Sequence, residues 1–306
     1  MKKVLVIGST VVDVIIDLDH LPTTQEDVHV IRQRMSLGGC AYNTSDMIRH
    51  FQVPYILFSP VGTGAYGDFV RSRLNERGVS TPLPPASTEN GCCYCFVEKS
   101  GERTFISYHG AEYLFPKEWF SIPDPEEIDS VYICGLEIEE TTGENIVCWL
   151  EEHPQLQIYF APGPRINKIA DSLLKRIFAL HPVLHLNEEE ALTYVQRVSG
   201  DVLSLEDAAA SLFSITENGV IVTLGERGTY YRDASGADLV PGFPATQIDT
   251  IGAGDSHIGA VIACRQLGQS LPDAIRTANR VAAKVVETKG ALLPEEAFAE
   301  LQKDLI

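Results

Sequence analysis

Short apolar runs rich in Val, Ile and Leu alternate with amphipathic stretches along almost the whole chain. Buried parallel strands have such continuous apolar sequences, whereas helices repeat apolar residues at helical spacing. Six runs have the character of buried strands: KKVLVIGS, PYILFSPVG, SVYICGLE, LQIYFAPG, PVLHLNEEE and GVIVTLGERG. This repeated alternation predicts an α/β fold, in which a doubly wound and mostly parallel sheet is flanked by helices.

Two long helices are predicted to close the chain, with the sequences GAGDSHIGAVIACRQLG and LPDAIRTANRVAAKVVETKG. They should end near Gly268 and Gly290, because glycine is common just past a helix C-terminus. We find no linker, low-complexity tract or internal repeat, and therefore predict a single domain over residues 1–306.

Two segments, at about 12–36 and 91–110, break the alternation. The first has extended stretches with a turn at Pro22, and the second has a hairpin signal at Ser100-Gly101. Antiparallel strands inserted in an α/β chain often form a flap over the site, so we predict a small β lid that could also pair two copies into a homodimer. Cys92, Cys93 and Cys95 lie in this region without a second ligand pair, which favours strand residues over a metal site.

The charge of the chain restricts its partners. Lys and Arg total 24 against 42 Asp and Glu, a net charge of −18 that disfavours binding to nucleic acids or anionic membranes. No run approaches the about 20 apolar residues of a membrane helix, and the first residues lead directly into a strand. Seven scattered cysteines and no export signal indicate a reducing, cytoplasmic location.

Neither of two common nucleotide-binding motifs fits the sequence. GTGAYG at 62–67 matches a dinucleotide-binding pattern, but the proline-rich region that follows has no carboxylate until Glu89, and the first strand carries only Gly8. A phosphate loop of the form G-x-x-x-x-G-K-[ST] does not occur in the sequence. NAD binding and Walker-type nucleotide binding are therefore disfavoured.

The stretch DTIGAGDSHIGA at 249–260 places three small residues between two aspartates and ahead of a helix-like run. The amides of Gly252, Ala253 and Gly254 are unobstructed, and such amides at a helix N-terminus favour an anion. Asp255 then lies in the first turn, where a carboxylate beside bound phosphate is costly unless it takes a proton from an attacking hydroxyl. The alternative is that Asp255 only stabilises the start of the helix.

The same stretch resembles the C-terminal signature of the ribokinase-like (PfkB) carbohydrate kinases, and GGCAYN at 38–43 resembles their N-terminal glycine-pair motif. Asp13 at the end of the first strand, VGTGAYGDFVRSRLNERGV, NEEEA and TLGERG also occur in the family's order and spacing. The resemblance covers essentially the whole chain. It implies the ribokinase-like fold and an enzyme that transfers the γ-phosphoryl group of ATP to a hydroxymethyl group of a small ribose- or fructose-like sugar.

The resemblance also implies roles for single residues. Asp255 would be the base, and the amides of residues 252–254 would stabilise charge that develops on the γ-phosphoryl group. The family's sugar-binding positions correspond to Asp13, Gly38, Gly39, Asn43, Glu137 and Asp255. From the residues alone, Asp13 could instead cap a turn and Asn43 could cap the following helix.

Nucleotide-binding positions in the family correspond to Asn187, Thr223, Gly225, Gly228 and Asn279. Glu190 would order Mg²⁺ through water, which suits an ion that keeps much of its hydration shell. The alternatives are an ordinary acidic helix start at NEEE and an exposed helix asparagine at 279. The implied cofactors are ATP and Mg²⁺.

Some family members also bind a monovalent cation such as K⁺. The matching positions are Asp249 and Ile251, with carbonyls near Val285, Thr288 and Gly290. Carbonyl ligands leave little trace in side-chain identity, so only the resemblance implies this site.

Departures from the family pattern leave the sugar open. Cys40 replaces a lysine of many relatives, Ala161 replaces an aspartate, and His257 replaces a common aromatic residue. Arg165 could face a phosphate or a sugar acid, or could lie on the surface. The reaction class does not depend on these positions, but the identity of the sugar does.

The sequence leaves two alternative functions. A nucleoside kinase of the same fold is the closest alternative, because Tyr94, Phe105 and Tyr108 on the predicted lid could stack on a base, although aromatic strand residues usually only pack. A sugar sensor without catalytic activity is disfavoured by the intact Asp255 and glycine loop.

Overall fold

An eight-stranded sheet forms the centre of the fold in a computed structural model that describes residues 1–303. In chain order, the strands are β1 (Lys3–Ile7), β2 (Val11–Leu18), β3 (Arg32–Gly38), β4 (Tyr55–Phe58), β5 (Cys92–Glu98), β6 (Arg103–Tyr108), β7 (Ile128–Cys134), β8 (Gln157–Ala161), β9 (Val183–Asn187), β10 (Val220–Thr223), β11 (Gly228–Asp233) and β12 (Gly236–Pro241). The central sheet has the order β12-β11-β10-β9-β8-β7-β1-β4. Its six strands from β10 to β4 are parallel, which confirms the predicted buried strands.

Helices cover both faces of this sheet. They are α1 (Cys40–His50), α2 (Gly64–Glu76), α3 (Gly135–Glu139), α4 (Gly143–Glu152), α5 (Asp171–Phe178), α6 (Glu188–Ser199), α7 (Leu205–Thr216), α8 (Ala253–Gln266), α9 (Leu271–Val286) and α10 (Glu295–Lys303). Alternate β1 residues enter two separate cores, since Val4 and Val6 pack with α1, α8 and α9, whereas Leu5 and Ile7 pack with α4 to α7. The doubly wound α/β fold is therefore confirmed.

The inserted segments form a second sheet of order β3-β2-β5-β6, called here the lid sheet. Its outer pairs, β2–β3 and β5–β6, are antiparallel as predicted, but the central pair β2–β5 is parallel. The hairpin signal is confirmed, because Gly101 adopts φ 92° between β5 and β6. Cys92, Cys93 and Cys95 lie on β5 with free thiols.

Four details differ from the sequence interpretation. Asp13 is not at the end of β1 but is the third residue of β2, because three residues carry the chain from the central sheet into the lid sheet. The helix predicted to end near Gly290 ends at Val286, where Glu287 caps it with helical φ and ψ. A further helix, α10, follows it, and an antiparallel β11–β12 edge extends the sheet.

No helix within residues 1–303 combines the length and apolar character needed to span a membrane.

Candidate active site

A pocket of about 160 Å³ lies between the lid sheet and the loop that leads into α8. Five predicted substrate-binding or catalytic residues line it: Asp13, Gly39, Asn43, Gly252 and Asp255. β2 contributes Asp13, α1 contributes Asn43, and α8 contributes Asp255. The fold thus brings together side chains that are up to 242 positions apart in the sequence, the difference between 255 and 13.

The N-terminus of α8 borders this pocket, with Gly252 in its lining. Gly252 caps the helix in the left-handed conformation with φ 77°, and a Cβ atom there would lie 2.7 Å from Ala291 Cα. The amide of Ala253 donates to Thr250 O at 3.3 Å, whereas those of Gly252 and Gly254 have no backbone hydrogen-bond partner within residues 1–303. Because helix N-termini attract anions, this corner suits a phosphoryl group, with two amides free rather than the three predicted.

Asp255 lies in the first turn of α8 and faces the pocket. Its Oδ2 accepts a hydrogen bond from Asn43 Nδ2 at 2.8 Å. Burial raises the pKa of Asp255, while hydrogen bonds from Asn43 and Cys40 act in the opposite direction. Asn43 therefore binds the carboxylate and does not cap α1, whose N-cap is Gly39.

Asp13 is a second carboxyl group in the pocket. Burial, and then the nearby charge of Asp255, raise the pKa of Asp13 to about 7. Gly38 is required beside it, because a Cβ atom at that position would lie 2.7 Å from Asp13 Cγ. Two carboxyl groups with raised pKa values in one small pocket are typical of a catalytic or ligand-binding site.

Glu137, predicted to bind sugar, lies behind the pocket rather than in its lining. The residue is 1% exposed, and its Oε1 accepts a hydrogen bond from Ser9 N at 2.8 Å. Its carboxyl group also contacts the Cys134 thiol, which contacts Cys40, which in turn contacts Asp255. The structure therefore places Glu137 behind the pocket, where it does not contact a sugar directly.

The nucleotide-binding positions predicted on β9 and β10 lie next to each other, because Asn187 and Thr223 are in register. Asn187 and Glu190 form a capping box at the start of α6, with Glu190 N donating to Asn187 Oδ1 at 2.8 Å and Asn187 N donating to Glu190 Oε2 at 3.0 Å. Gly225 and Gly228 form the turn after β10 with positive φ. NEEE is therefore a capped helix start, and it leaves the Glu190 carboxylate near the edge of the sheet where β9 ends, so the predicted role of Glu190 near the nucleotide stays a prediction.

Asn279 is neither an exposed helix residue nor a surface contact. It is 6% exposed, and its Nδ2 donates to Val240 O and Pro241 O at 3.0 and 3.1 Å. Its Oδ1 accepts from Thr229 Oγ1 at 2.6 Å and lies 3.0 Å from His257 Nε2. The amide of Asn279 holds β12 against α9 in this conformation, and its contact with a nucleotide stays a prediction.

Sequence reasoning missed a buried polar network that continues from Asn279 to the centre of the sheet. His257 Nδ1 lies 2.9 Å from Nε2 of His185 on β9. Burial lowers the pKa of His257 to about 4 and that of His185 well below its usual value, so both rings are neutral near pH 7. The sequence marks His257 only as a replacement for an aromatic residue of the family, and no local pattern indicates its partners.

A second missed feature joins the lid sheet to the catalytic loop. Arg103 Nη1 on β6 donates to Asp249 Oδ1 at 2.7 Å. The two residues are 146 positions apart, and both line the pocket. The only local signal is that Arg103 precedes Phe105 by two residues. Side chains two apart on a strand point to the same face, and here that face lines the pocket.

The structure also gives the positions of Arg165 and of the three lid aromatics. Arg165 forms a bidentate ion pair with Glu139 and does not line the pocket. Among the three lid aromatics, Phe105 lines the pocket, whereas the Tyr94 hydroxyl lies 3.3 Å from that of Tyr66. Tyr108 is 58% exposed. Only Phe105 could therefore stack on a ligand in this pocket.

Comparison with known proteins gives one family. The sequence model described as pfkB family carbohydrate kinase matches residues 1–297. The uncharacterized sugar kinase YegV of Escherichia coli strain K12 is 34% identical over 94% of this chain and 90% of its own. The Thermotoga maritima ribokinase structure has a TM-score of 0.86 at 22% identity, covering 99% of this chain and 100% of that one. The Burkholderia thailandensis nucleoside kinase, in complex with inosine, has a TM-score of 0.80 at 19% identity, covering 99% and 95%.

Proposed function

The chain belongs to the pfkB family of carbohydrate kinases, and on that premise we propose that it transfers the γ-phosphoryl group of ATP to a hydroxymethyl group of a small, ribose- or fructose-like sugar. One observation carries the proposal: the Asp255 carboxyl group lies in a small pocket beside Gly252, whose amide at the start of α8 has no backbone hydrogen-bond partner within residues 1–303. An acceptor hydroxyl on Asp255 would then face a phosphoryl group held by that amide.

The chemistry follows from this placement. The Asp255 carboxylate takes the proton of the acceptor hydroxyl as its oxygen attacks the γ-phosphorus and the bond to the leaving ADP breaks. The amides of Gly252 and Gly254 donate to the γ-phosphoryl oxygens, where charge is rearranged. Asp13 and Asn43 hold neighbouring sugar hydroxyls and fix the direction of attack.

ATP is the phosphoryl donor that a kinase of this family implies, and Mg²⁺ is proposed with it. Glu190 lies three residues after Asn187, which is in register with Thr223, and its carboxylate would order the Mg²⁺ hydration shell through water. Within residues 1–303 no cluster of three or more acidic, His or Cys side chains could enclose a metal, which suits an ion held mainly by phosphates and water. When bound, Mg²⁺ neutralises charge on the β- and γ-phosphates.

The size of the pocket favours a sugar over a nucleoside. Ligand pockets commonly measure about 300–1,000 Å³, so a pocket of about 160 Å³ suits a small acceptor such as a monosaccharide better than a nucleoside. We expect ADP release with pentoses or ketohexoses at a higher kcat/KM than with any nucleoside, measured across a panel with coupled ADP detection. A preference for nucleosides would favour the alternative kinase, and no ADP release with any acceptor would favour a sensor.

The activity is expected to fall as the pH is lowered through about 7, the pKa of Asp13. Both pocket carboxyl groups act in their charged form, and burial raises both pKa values, so protonation removes activity at an unusually high pH. The variant Asp13→Asn should move the acid limb of kcat/KM to lower pH, because the group that titrates near 7 is gone. The measurement is a pH profile of both enzymes, with Asp19→Asn on the exposed lid turn as control. An unchanged limb in Asp13→Asn would contradict this assignment.

We further propose a homodimer that forms through the lid sheet. Met35, Ile106 and Tyr108 lie on the face of this sheet opposite the pocket and are 43%, 57% and 58% exposed. Met35 lies on one edge strand of the lid sheet, and Ile106 and Tyr108 lie on the other edge strand. Exposed apolar side chains on edge strands are typical of a protein interface. Light scattering should give a dimer for the wild type and a monomer for Ile106→Lys, and a monomeric wild type would contradict the proposal.

The free cysteines support a cytoplasmic location.

A further inference from the structure

The ion pair between Arg103 and Asp249 connects the lid sheet to the loop before α8. The Asp249 residue is 5% exposed and the Arg103 side chain 24%, and their closest atoms are 2.7 Å apart. The Arg103 Nε atom is buried and has no hydrogen-bond partner in the described part of the chain. Such a charge pair, shielded from water, is much less screened than a surface pair.

Asp249 also holds two loops together. Its Oδ1 accepts from Ile251 N at 2.9 Å, and its Oδ2 accepts from Gly290 N at 3.1 Å. Gly252 lies in the same loop as Ile251, and it packs against Ala291, which follows Gly290 in the other loop. The carboxylate therefore fixes the segment whose amides face the pocket.

The residues do not fit the monovalent-cation site that the family resemblance implies. Asp249 is the only formally charged residue of the five matching positions, and Arg103 neutralises it. The carbonyl of Val285 accepts hydrogen bonds from Thr288 N at 2.9 Å and Thr288 Oγ1 at 2.8 Å. A K⁺ ion at Asp249 would meet occupied acceptors and the repulsion of a guanidinium.

We propose that the Arg103 guanidinium takes the place of a monovalent cation at Asp249, which makes this kinase independent of K⁺ when the lid is closed. The inference rests on the proposed function for its kinetic part only. Arg103 acts as a positioning residue: it neutralises Asp249, which orders the loop, and the loop in turn places the amides of Gly252 and Gly254. Because Arg103 lies on β6, closing the lid also completes the ordering of this loop.

The test compares KCl with tetramethylammonium chloride at equal concentration. For the wild type, we expect kcat/KM to agree within about twofold between the two salts, and the Tm to be the same. The variant Arg103→Met frees Asp249, so K⁺ should raise its kcat by about 5- to 150-fold, the usual range of coupling between sites. K⁺ should also raise the Tm of this variant, because a ligand that binds only the folded state stabilises it.

Two further variants separate charge from folding. Arg103→Lys keeps a positive charge at Asp249 and should respond to K⁺ less than Arg103→Met does. Lys99→Met removes a lid cation whose partner is the exposed Asp19, so it should behave like the wild type.

Two results would overturn the replacement of the cation by Arg103. One is K⁺ activation of the wild type as strong as that of Arg103→Met, and the other is no K⁺ response of that variant in either kcat or Tm. If no sugar is phosphorylated by the wild type, the proposed function fails. The Tm comparison still tests the role of Arg103 in that case, because it needs no turnover.

Discussion

Replacing Asp255 with asparagine is expected to lower kcat by about 10²- to 10⁴-fold, the range that a general base contributes. The amide of asparagine has nearly the shape of the carboxylate, and its oxygen can still accept the hydrogen bond from Asn43 Nδ2. Burial disfavours the charged form of Asp255 in the folded state, so the neutral side chain should preserve the Tm or raise it. ATP should bind as in the wild type, because Asp255 is proposed to contact the acceptor hydroxyl.

The experiment measures kcat, the Kd for ATP and the Tm of Asp255→Asn. The matched control is Asp273→Asn, because Asp273 occupies the first turn of α9 just as Asp255 occupies that of α8, but faces solvent and pairs with Arg276. The control should retain its kcat. Near-normal turnover in Asp255→Asn would remove the base assignment, whatever the Tm.

Gly252→Ala is expected to lower kcat by about 10²-fold or more, the effect of losing one oxyanion-hole donor. The added Cβ atom would lie 2.7 Å from Ala291 Cα, so the backbone must move, and the amides that face the pocket move with it. The left-handed φ of 77° adds strain of about 1–2 kcal/mol. Activity and stability should therefore both fall.

Gly268→Ala provides the matched control at the other end of α8. Gly268 has φ 84°, yet a Cβ atom there meets no atom within 4 Å, so only the strain is added. We expect Gly268→Ala to lose similar stability from strain and to keep its kcat, measured by steady-state kinetics and thermal unfolding. Equal kcat values for the two variants would show that the position of the Gly252 amide does not matter for catalysis.

The sequence predicted the central sheet because its signals are local. Each parallel strand is a short apolar run that fills both cores, and DTIGAGD combines a glycine turn, a helix start and a carboxylate within a few residues. The sequence places Asp13 on the wrong strand because only Gly8, Ser9 and Thr10 separate the apolar run VLVI from VVDVII, and the chain passes from one sheet to the other within these three residues. Nothing in the local sequence marks that change.

The part of the site that sequence could not predict depends on tertiary contacts. Arg103 and Asp249 meet only because the lid sheet folds over the α8 loop. Asn279 was assigned to the nucleotide, but its partners Thr229, Val240 and His257 come from three other elements. Polar residues in buried positions must find hydrogen-bond partners, and their identity follows from packing rather than from spacing.

The central claim is that the amides at the start of α8 hold the transferring phosphoryl group while Asp255 holds the acceptor hydroxyl. A crystal structure with the preferred sugar and a non-hydrolysable ATP analogue tests it most directly. We expect a γ-phosphoryl oxygen within hydrogen-bond distance of Gly252 N or Gly254 N, and the hydroxymethyl oxygen of the sugar on an Asp255 carboxylate oxygen. A γ-phosphoryl group bound away from this corner, or a sugar whose hydroxyls do not reach Asp255, would contradict the claim.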